Sequence, residues 1–124
     1  MGFAMLKGWI EQGTPANRID VVEPNDDLRK RAVGTGAKVH ASAGDIIGGE
    51  APAMAIIAVK PQMMAKVLAD YKPFAAKGAT FVSVAAGTLL GTIEDALGKG
   101  SAVIRCMPNT PAAVGKGMMV CCAN

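Results

Sequence analysis

Hydrophobic and polar positions along the chain follow two different periods. Near its beginning, Phe3, Leu6, Trp9 and Ile10 are spaced as on one face of a helix, and the pattern ends at Gly13. Short apolar or β-branched runs follow, separated by more polar stretches of helical length. The pattern therefore predicts a leading helix and then strands that alternate with helices.

Several short runs are predicted as strands because turn residues bound them. They cover residues 19–23, 37–41, 54–59, 80–84 and 102–106, with 117–122 as a further candidate. The run 54–59 is apolar at every position, which is typical of a parallel strand covered on both faces. We therefore expect that strand at the centre of a sheet.

Capping residues mark the helices that connect these strands. Asn25 is placed to cap a helix that runs through Arg31, and Pro61 suits the first turn of a helix that runs to about Tyr71. A third helix is predicted from a cap at Thr88 to its end at Gly98. Alternating strands and helices favour an α/β fold, doubly wound, with a mostly parallel sheet and helices on both faces.

Composition narrows the classes of function. The 124 residues are 51% hydrophobic, enough for one core, so residues 1–124 are expected to form one domain. The 13 basic residues are scattered among 10 acidic ones and aromatic residues are few, which argues against a nucleic-acid partner. No apolar run reaches the roughly 20 residues of a membrane span, and no secretory signal is visible, so we expect no membrane partner.

The cysteines indicate neither a disulfide framework nor a metal site. Cys106, Cys121 and Cys122 are odd in number, and we expect them to be small apolar side chains in a core. His40 is the single histidine, so no set of zinc ligands is expected. A reducing, cytoplasmic location fits this usage.

The candidate chemistry lies where the strands end. In an open parallel sheet, ligands bind beyond the carboxyl ends of the strands. Small residues and prolines there leave a crevice in which the backbone can approach a ligand closely, although tight turns would give much the same composition. The residues concerned are Glu23, Pro24, Asn25, Ala58, Val59, Lys60, Pro61, Ala85, Ala86, Gly87, Met107, Pro108 and Asn109.

Three charged residues in this region each allow two interpretations. Glu23 lies about 20 residues after Gly2, where a carboxylate can bind the ribose hydroxyls of a dinucleotide, but a solvated turn residue would look the same. Lys60 could meet a phosphate or carboxylate, although a lysine that reaches solvent is commoner. Arg105 lies within a strand and must find a carboxylate, a ligand or the sheet edge; we expect a structural ion pair.

Three motifs carry a family resemblance. Residues 58–62 (AVKPQ), 83–87 (SVAAG) and 105–111 (RCMPNTP), at their spacing, resemble the dinucleotide-binding domain of pyrroline-5-carboxylate reductases. The resemblance covers essentially all 124 residues, and the MPNTP stretch is highly specific. It implies a Rossmann-like fold and the reduction of 1-pyrroline-5-carboxylate to L-proline by NADPH or NADH, in proline biosynthesis.

The same resemblance assigns roles to the strand ends. It implies that residues 58–61 line the cofactor, that residues 85–87 lie along it, and that residues 107–109 approach the nicotinamide and the substrate. Gly2 would be the last glycine of a G-x-G-x-M-G turn. The carboxylate of Glu23 slightly favours NADH. No residue of the chain is assigned as a catalytic acid.

The chain also departs from the family pattern. The first strand, the first two glycines of the turn and the C-terminal helical dimerisation domain are missing from the 124 residues, so we expect a cofactor-binding fragment of a family whose full-length members are homo-oligomers. The alternative is a non-catalytic nucleotide-binding or interaction module; a relative of the hydroxyacid dehydrogenases is disfavoured by MPNTP. Without the first strand, residues 54–59 and 81–84 are expected to be exposed and to promote association.

Overall fold

The computed structural model describes residues 2–108 and 119–124, and within them the strands form two separate ladders. One ladder contains two strands and the other contains four. The strands are β1 (Asp20–Val22), β2 (Lys38–His40), β3 (Met54–Ile57), β4 (Thr80–Ser83), β5 (Ala102–Pro108) and β6 (Met119–Ala123). All the predicted strands are therefore present, with ends shifted by one or a few residues.

Five α-helices lie in the described part of the chain. They are α1 (Gly2–Glu11), α2 (Asp26–Val33), α3 (Met64–Ala69), α4 (Lys72–Ala76) and α5 (Leu90–Leu97). Short 3-10 turns occur at Ala16–Arg18, Ala43–Asp45 and Pro61–Met63. None of the helices in residues 2–108 and 119–124 has the length and apolar content needed to span a membrane.

Most strand pairs are parallel. β1 pairs with β2 in parallel, and β3, β4 and β5 form a parallel ladder in that order. β6 joins the far side of β5 in antiparallel orientation. The α/β, mostly parallel, Rossmann-like architecture is confirmed.

The predicted central position of the apolar run 54–59 is wrong. The four-stranded ladder has the order β3-β4-β5-β6, so β3 is an edge strand among the described residues. Met54 is 55% exposed. The composition of the run indicates that both faces of the strand are covered. It does not indicate how many neighbouring strands share its backbone hydrogen bonds.

Each ladder has its own hydrophobic cluster. In the four-stranded ladder, α3, α4 and α5 cover the face that carries Phe81 and Val103, which are 0% and 1% exposed. In the two-stranded ladder, Leu6 of α1 packs with Ala32 and Ala37. The amphipathic face predicted for the first helix is thus buried at Leu6 and half-buried at Phe3 and Ile10, and the Arg31 guanidinium lies 4.2 Å above the Phe3 ring.

Local capping explains several helix boundaries. The Asn25 side chain accepts a hydrogen bond from the Leu28 amide, as expected of an N-cap, and Gly98 ends α5 with φ +115°. The predicted cap at Thr88 is wrong, because Leu89 is the N-cap of α5 and the Thr88 residue is buried. The helix predicted from Pro61 to Tyr71 is divided into a 3-10 turn and α3, and α4 follows at Lys72.

The expectation that the cysteines are small apolar core residues is confirmed for the burial of Cys106, which is 7% exposed, but is wrong for Cys121 and Cys122, which are exposed. Cys106 and Cys121 face each other across β5 and β6, with their Cα atoms 4.2 Å apart, and they form a disulfide. Cys122 is a free, exposed cysteine. Pairing depends on the antiparallel register of two strands, which the spacing of cysteines along the chain does not reveal.

Candidate cofactor-binding site

The parallel ladder brings three strand ends into one row. Ile57, Ser83 and Arg105 occupy neighbouring register positions at the end of the paired part of β3, β4 and β5. The loops that begin at Ala58 and Val84 therefore leave the sheet along the same edge. Most of the predicted loop residues are solvent-exposed, namely Ala58, Lys60, Pro61, Ala86 and Gly87, while Val59 is half-buried and Ala85 is buried.

Hydrogen bonds fix the loop after β4. The Ser83 hydroxyl oxygen accepts from the Ala85 amide at 3.2 Å, and the Val84 amide donates to the Ile57 carbonyl at 3.2 Å. The loop then turns at Gly87, whose φ of +74° lies in the region that favours glycine. Ser83 is 1% exposed. It was not among the predicted site residues, although its position directly before the small residues of the loop could have identified it.

Gly2 lies where the first helix approaches the end of β3. A Cβ atom added at Gly2 would lie 3.2 Å from the Ala58 Cβ, closer than ordinary van der Waals contact. Glycine thus permits the first turn of α1 to reach this edge of the sheet. A helix N-terminus in that place presents backbone amides toward a ligand at the edge.

The turn after β1 is held by its own polar groups. The Glu23 carboxylate accepts from the Asn25 amide at 3.0 Å, which matches the turn interpretation of this residue. The Arg29 guanidinium donates to the Glu23 carbonyl at 3.0 Å and to the Pro24 carbonyl at 3.2 Å, and it pairs with Asp26. A positive charge therefore lies beside the predicted ribose-binding carboxylate.

The remaining predicted site residues lie at the end of β5. Met107 is 38% exposed, and Pro108 is the last residue of the strand. Asn109 lies outside the described residues, so its predicted role stays a prediction. Lys60 is exposed and precedes the 3-10 turn at 61–63, as a strand-end lysine that reaches solvent would.

The expected ion pair of Arg105 is wrong. Among the described residues, which include every Asp and Glu of the chain, salt bridges join Arg29 to Asp26 and His40 to Asp20, and none involves Arg105. The Arg105 Nε atom is buried and has no hydrogen-bond partner there. The parallel register places Arg105 beside Ser83, which offers a hydroxyl rather than a carboxylate.

Two other surface depressions lie at the opposite edge of the sheet. One is lined by residues 48–51 with Lys77, and the other by residues 97–101 with Ala75 and Ala76, before the amino ends of β3, β4 and β5. Neither contains a predicted site residue. Within the described ranges, no cluster of three or more His, Cys, Asp or Glu side chains could hold a metal ion.

Known proteins resemble the chain over nearly its whole length. A pyrroline-5-carboxylate reductase of Haemophilus influenzae is 34% identical over 118 residues, which are 95% of this chain and 43% of that protein. The structure of a Coxiella burnetii pyrroline-5-carboxylate reductase superposes with a TM-score of 0.91 at 28% identity, covering 99% of this chain and 46% of that one. A Plasmodium falciparum pyrroline carboxylate reductase, solved with NADP bound, has a TM-score of 0.83 at 24% identity and supports the fold.

The relatives in these comparisons are longer proteins than this chain. This chain spans less than half of the relatives that it matches. Residues 1–87, which include the first helix, strands β1 to β4 and the loop after β4, match the family described as NADP oxidoreductase, coenzyme F420-dependent. Fold, strand-end geometry and sequence similarity agree, and the chain belongs to this NADP oxidoreductase family.

Proposed function

We propose that residues 1–124 form the cofactor-binding domain of a pyrroline-5-carboxylate reductase. The observation that carries the proposal is the similarity to these reductases over 95% of the chain, including the motifs at the strand ends. The whole enzyme would reduce 1-pyrroline-5-carboxylate, a small molecule, to L-proline. The helical dimerisation domain of the family would be supplied outside these residues.

The residues at the sheet edge fit a nicotinamide dinucleotide. Gly2 allows the first turn of α1 to approach Ala58 closely, so the backbone amides of that turn would face a pyrophosphate at this edge of the sheet. The exposed small residues Ala58, Ala86 and Gly87 allow backbone approach along an extended ligand, and residues 107–109 would face the nicotinamide end. When bound, the cofactor supplies the hydride, while the chain supplies binding, orientation and exclusion of water.

NADPH and NADH are both candidates. A carboxylate at position 23 favours the 2′-hydroxyl of NADH. The nearby guanidinium of Arg29, within hydrogen-bond distance of the Glu23 carbonyl, offsets repulsion of a 2′-phosphate. The family description, which names NADP, supports NADPH as the first cofactor to test.

We also propose a cytoplasmic location, in keeping with proline biosynthesis. In a reducing compartment the disulfide between Cys106 and Cys121 would be open. Their positions opposite each other across β5 and β6 do not require the covalent bond, because backbone pairing holds the two strands together.

A titration of the chain with NADPH and with NADH, followed by nicotinamide fluorescence, tests cofactor binding. Ala86→Glu should weaken binding at least about tenfold, because a carboxylate at this exposed loop position repels the phosphates. Ala102→Glu, at an alanine that is also exposed but lies at the opposite edge of the sheet, is the matched control and should bind as the wild type does. Binding that is absent, or equally affected by both substitutions, contradicts the proposal.

A further inference from the structure

The ladder between β5 and β6 brings two cysteine side chains together. Cys106 and Cys121 are directly opposite each other in the antiparallel register, with their Cα atoms 4.2 Å apart. Opposite residues come this close at the positions where an antiparallel pair exchanges no backbone hydrogen bonds, and their side chains then leave the sheet side by side. Backbone pairing therefore places the two sulfur atoms next to each other before any bond joins them.

The two sulfur atoms differ in their access to solvent. Cys106 is 7% exposed, whereas Cys121 is exposed. A dissolved thiol or disulfide can therefore reach Cys121, while the main reaction partner of Cys106 is its neighbour in the ladder. This arrangement is typical of an exposed thiol that reacts first and a second thiol that resolves the product.

The third cysteine of the chain is kept out of this pair by the alternation of the strand. Cys122 follows Cys121 in β6, so its side chain lies on the opposite face of the sheet. It is exposed and free, and its register partner is Arg105. Cys122 is thus an accessible thiol without a neighbouring thiol to resolve it, and it serves as an internal comparison.

A bond at this position matters to the strand that carries it. Residues 120–124 are exposed, so the core contributes little to holding β6. Its other attachments among the described residues are the ladder with β5 and the hydrogen bonds of Asn124. The bond joins β6 to β5 one residue before Met107, which is predicted to approach the nicotinamide.

We propose that Cys106 and Cys121 form a reversible thiol-oxidation site that reacts with a low-molecular-weight disulfide of the glutathione type. The Cys121 thiolate attacks one sulfur of the reagent, forms a mixed disulfide and releases one reagent thiolate. The Cys106 thiolate then attacks the Cys121 sulfur, closes the bond and releases the second reagent thiolate. Two protons leave the cysteines, and their two electrons reduce the reagent to two thiols.

The direction of this exchange depends on the surrounding thiol pool. An excess of reduced thiol reverses both steps, so the site is open in a reducing compartment. An oxidised thiol pool closes it and fastens β6 to the end of β5. The site thereby adds a redox response to the domain, beyond the binding of a cofactor.

Mass spectrometry of the reduced 124-residue chain, incubated with mixtures of reduced and oxidised glutathione and quenched with acid, tests the site. We expect the wild type to close the bond between Cys106 and Cys121 and to carry glutathione only on Cys122. In Cys106→Ala, glutathione should remain on Cys121, because the resolving thiol is absent. In Cys121→Ser, Cys106 should stay a thiol, because it is buried.

A second measurement distinguishes the folded arrangement from chance pairing along the chain, and it needs no variant at a buried position. The equilibrium constant for closing the bond against glutathione should be at least about tenfold larger in buffer than in a denaturing concentration of urea, because the ladder raises the effective concentration of one thiol at the other. Cys122→Ser is the matched control and should close the bond as the wild type does.

Three results would overturn the inference. They are glutathione retained on Cys121 of the wild type, a bond between Cys106 and Cys122, or an equilibrium constant that is the same in buffer and in urea. None of these measurements involves NADPH or NADH, so the oxidation site and the proposed function fail separately.

Discussion

At the scale of single residues, two polar side chains hold the C-terminal residue Asn124 onto the sheet. The Glu94 carboxylate accepts from the Gly100 amide at 3.0 Å and from the Asn124 side-chain amide at 2.8 Å. The side-chain oxygen Oδ1 of Asn124 in turn accepts from the Val103 amide at 3.0 Å. Glu94 therefore connects α5 with Asn124, the residue that follows β6. β6 in turn pairs with β5, the strand that contains Arg105.

The contacts of Glu94 predict how the stability of the domain depends on pH. The backbone hydrogen bond from Gly100, and then the Asn124 amide, lower the pKa of Glu94. A lowered folded-state pKa stabilises the fold above the unfolded value of about 4.3, and the contribution is lost as the pH falls through the folded-state pKa. We expect Glu94→Gln to be less stable than the wild type near neutral pH, and the difference to close in acid.

Urea unfolding of both proteins at about pH 7 and about pH 3 measures this difference. Asp95→Asn, at the exposed neighbouring position, is the control and should not reproduce the pH-dependent difference. A stability gap between wild type and Glu94→Gln that persists unchanged in acid would show that packing, rather than the charge, is responsible.

At the scale of elements, β6 is the strand with the least support from the core. Val120 is 68% exposed, and residues 120–124 are all exposed. Its attachment consists of the antiparallel ladder with β5 and the disulfide between Cys106 and Cys121.

Reduction of this disulfide should lower the stability of the domain. The two cysteines are 15 residues apart, and cross-linking a loop of roughly 15 residues contributes about 3 kcal/mol in the chain-entropy treatment. We expect a dithiol reductant to lower the free energy of unfolding of the oxidised wild type by up to that amount. Cys121→Ser should be insensitive to the reductant.

Cys122→Ser is the matched control, since Cys122 is exposed and free. It should lose stability on reduction as the wild type does. If Cys122→Ser became insensitive and Cys121→Ser stayed sensitive, the pairing would be between other cysteines.

At the scale of the whole molecule, the edge strands of both ladders present an unpaired side. Among the described residues, β1 and β2 pair only with each other, β3 pairs only with β4, and β6 pairs only with β5. The expectation of wide apolar exposure is confirmed for Met54 of β3 but is wrong for β4, where Phe81 and Val82 are 0% and 7% exposed. Helices α3 to α5 and the flanking strands cover β4, so the exposed surface is confined to the edge.

An open strand edge with an exposed methionine favours pairing with another strand. We expect the chain to self-associate with increasing concentration in size-exclusion chromatography with light scattering. Met54→Lys should reduce this association, because a lysine at a sheet edge opposes edge-to-edge pairing. Val33→Lys, which replaces an apolar side chain 60% exposed on α2, should have a smaller effect, and a monomer at every concentration would contradict the prediction.

The sequence by itself determined the order and type of most elements and the position of the candidate site. Period, caps and β-branched runs depend on neighbours along the chain, which is why the cap at Asn25, the end of α5 at Gly98 and the small residues at 85–87 were found from the pattern. The family motifs at the strand ends added the cofactor. The roles of individual site residues stay predictions.

Only the tertiary structure decided which distant groups meet. The edge position of β3, the bond between Cys106 and Cys121 and the missing ion pair of Arg105 all depend on strand order and register. The physical reason is that the composition of a strand indicates how deeply its two faces are buried, but it does not indicate which strand lies beside it. Neighbouring strands, and with them the partner of each charge and each thiol, are set by the packing of the whole chain.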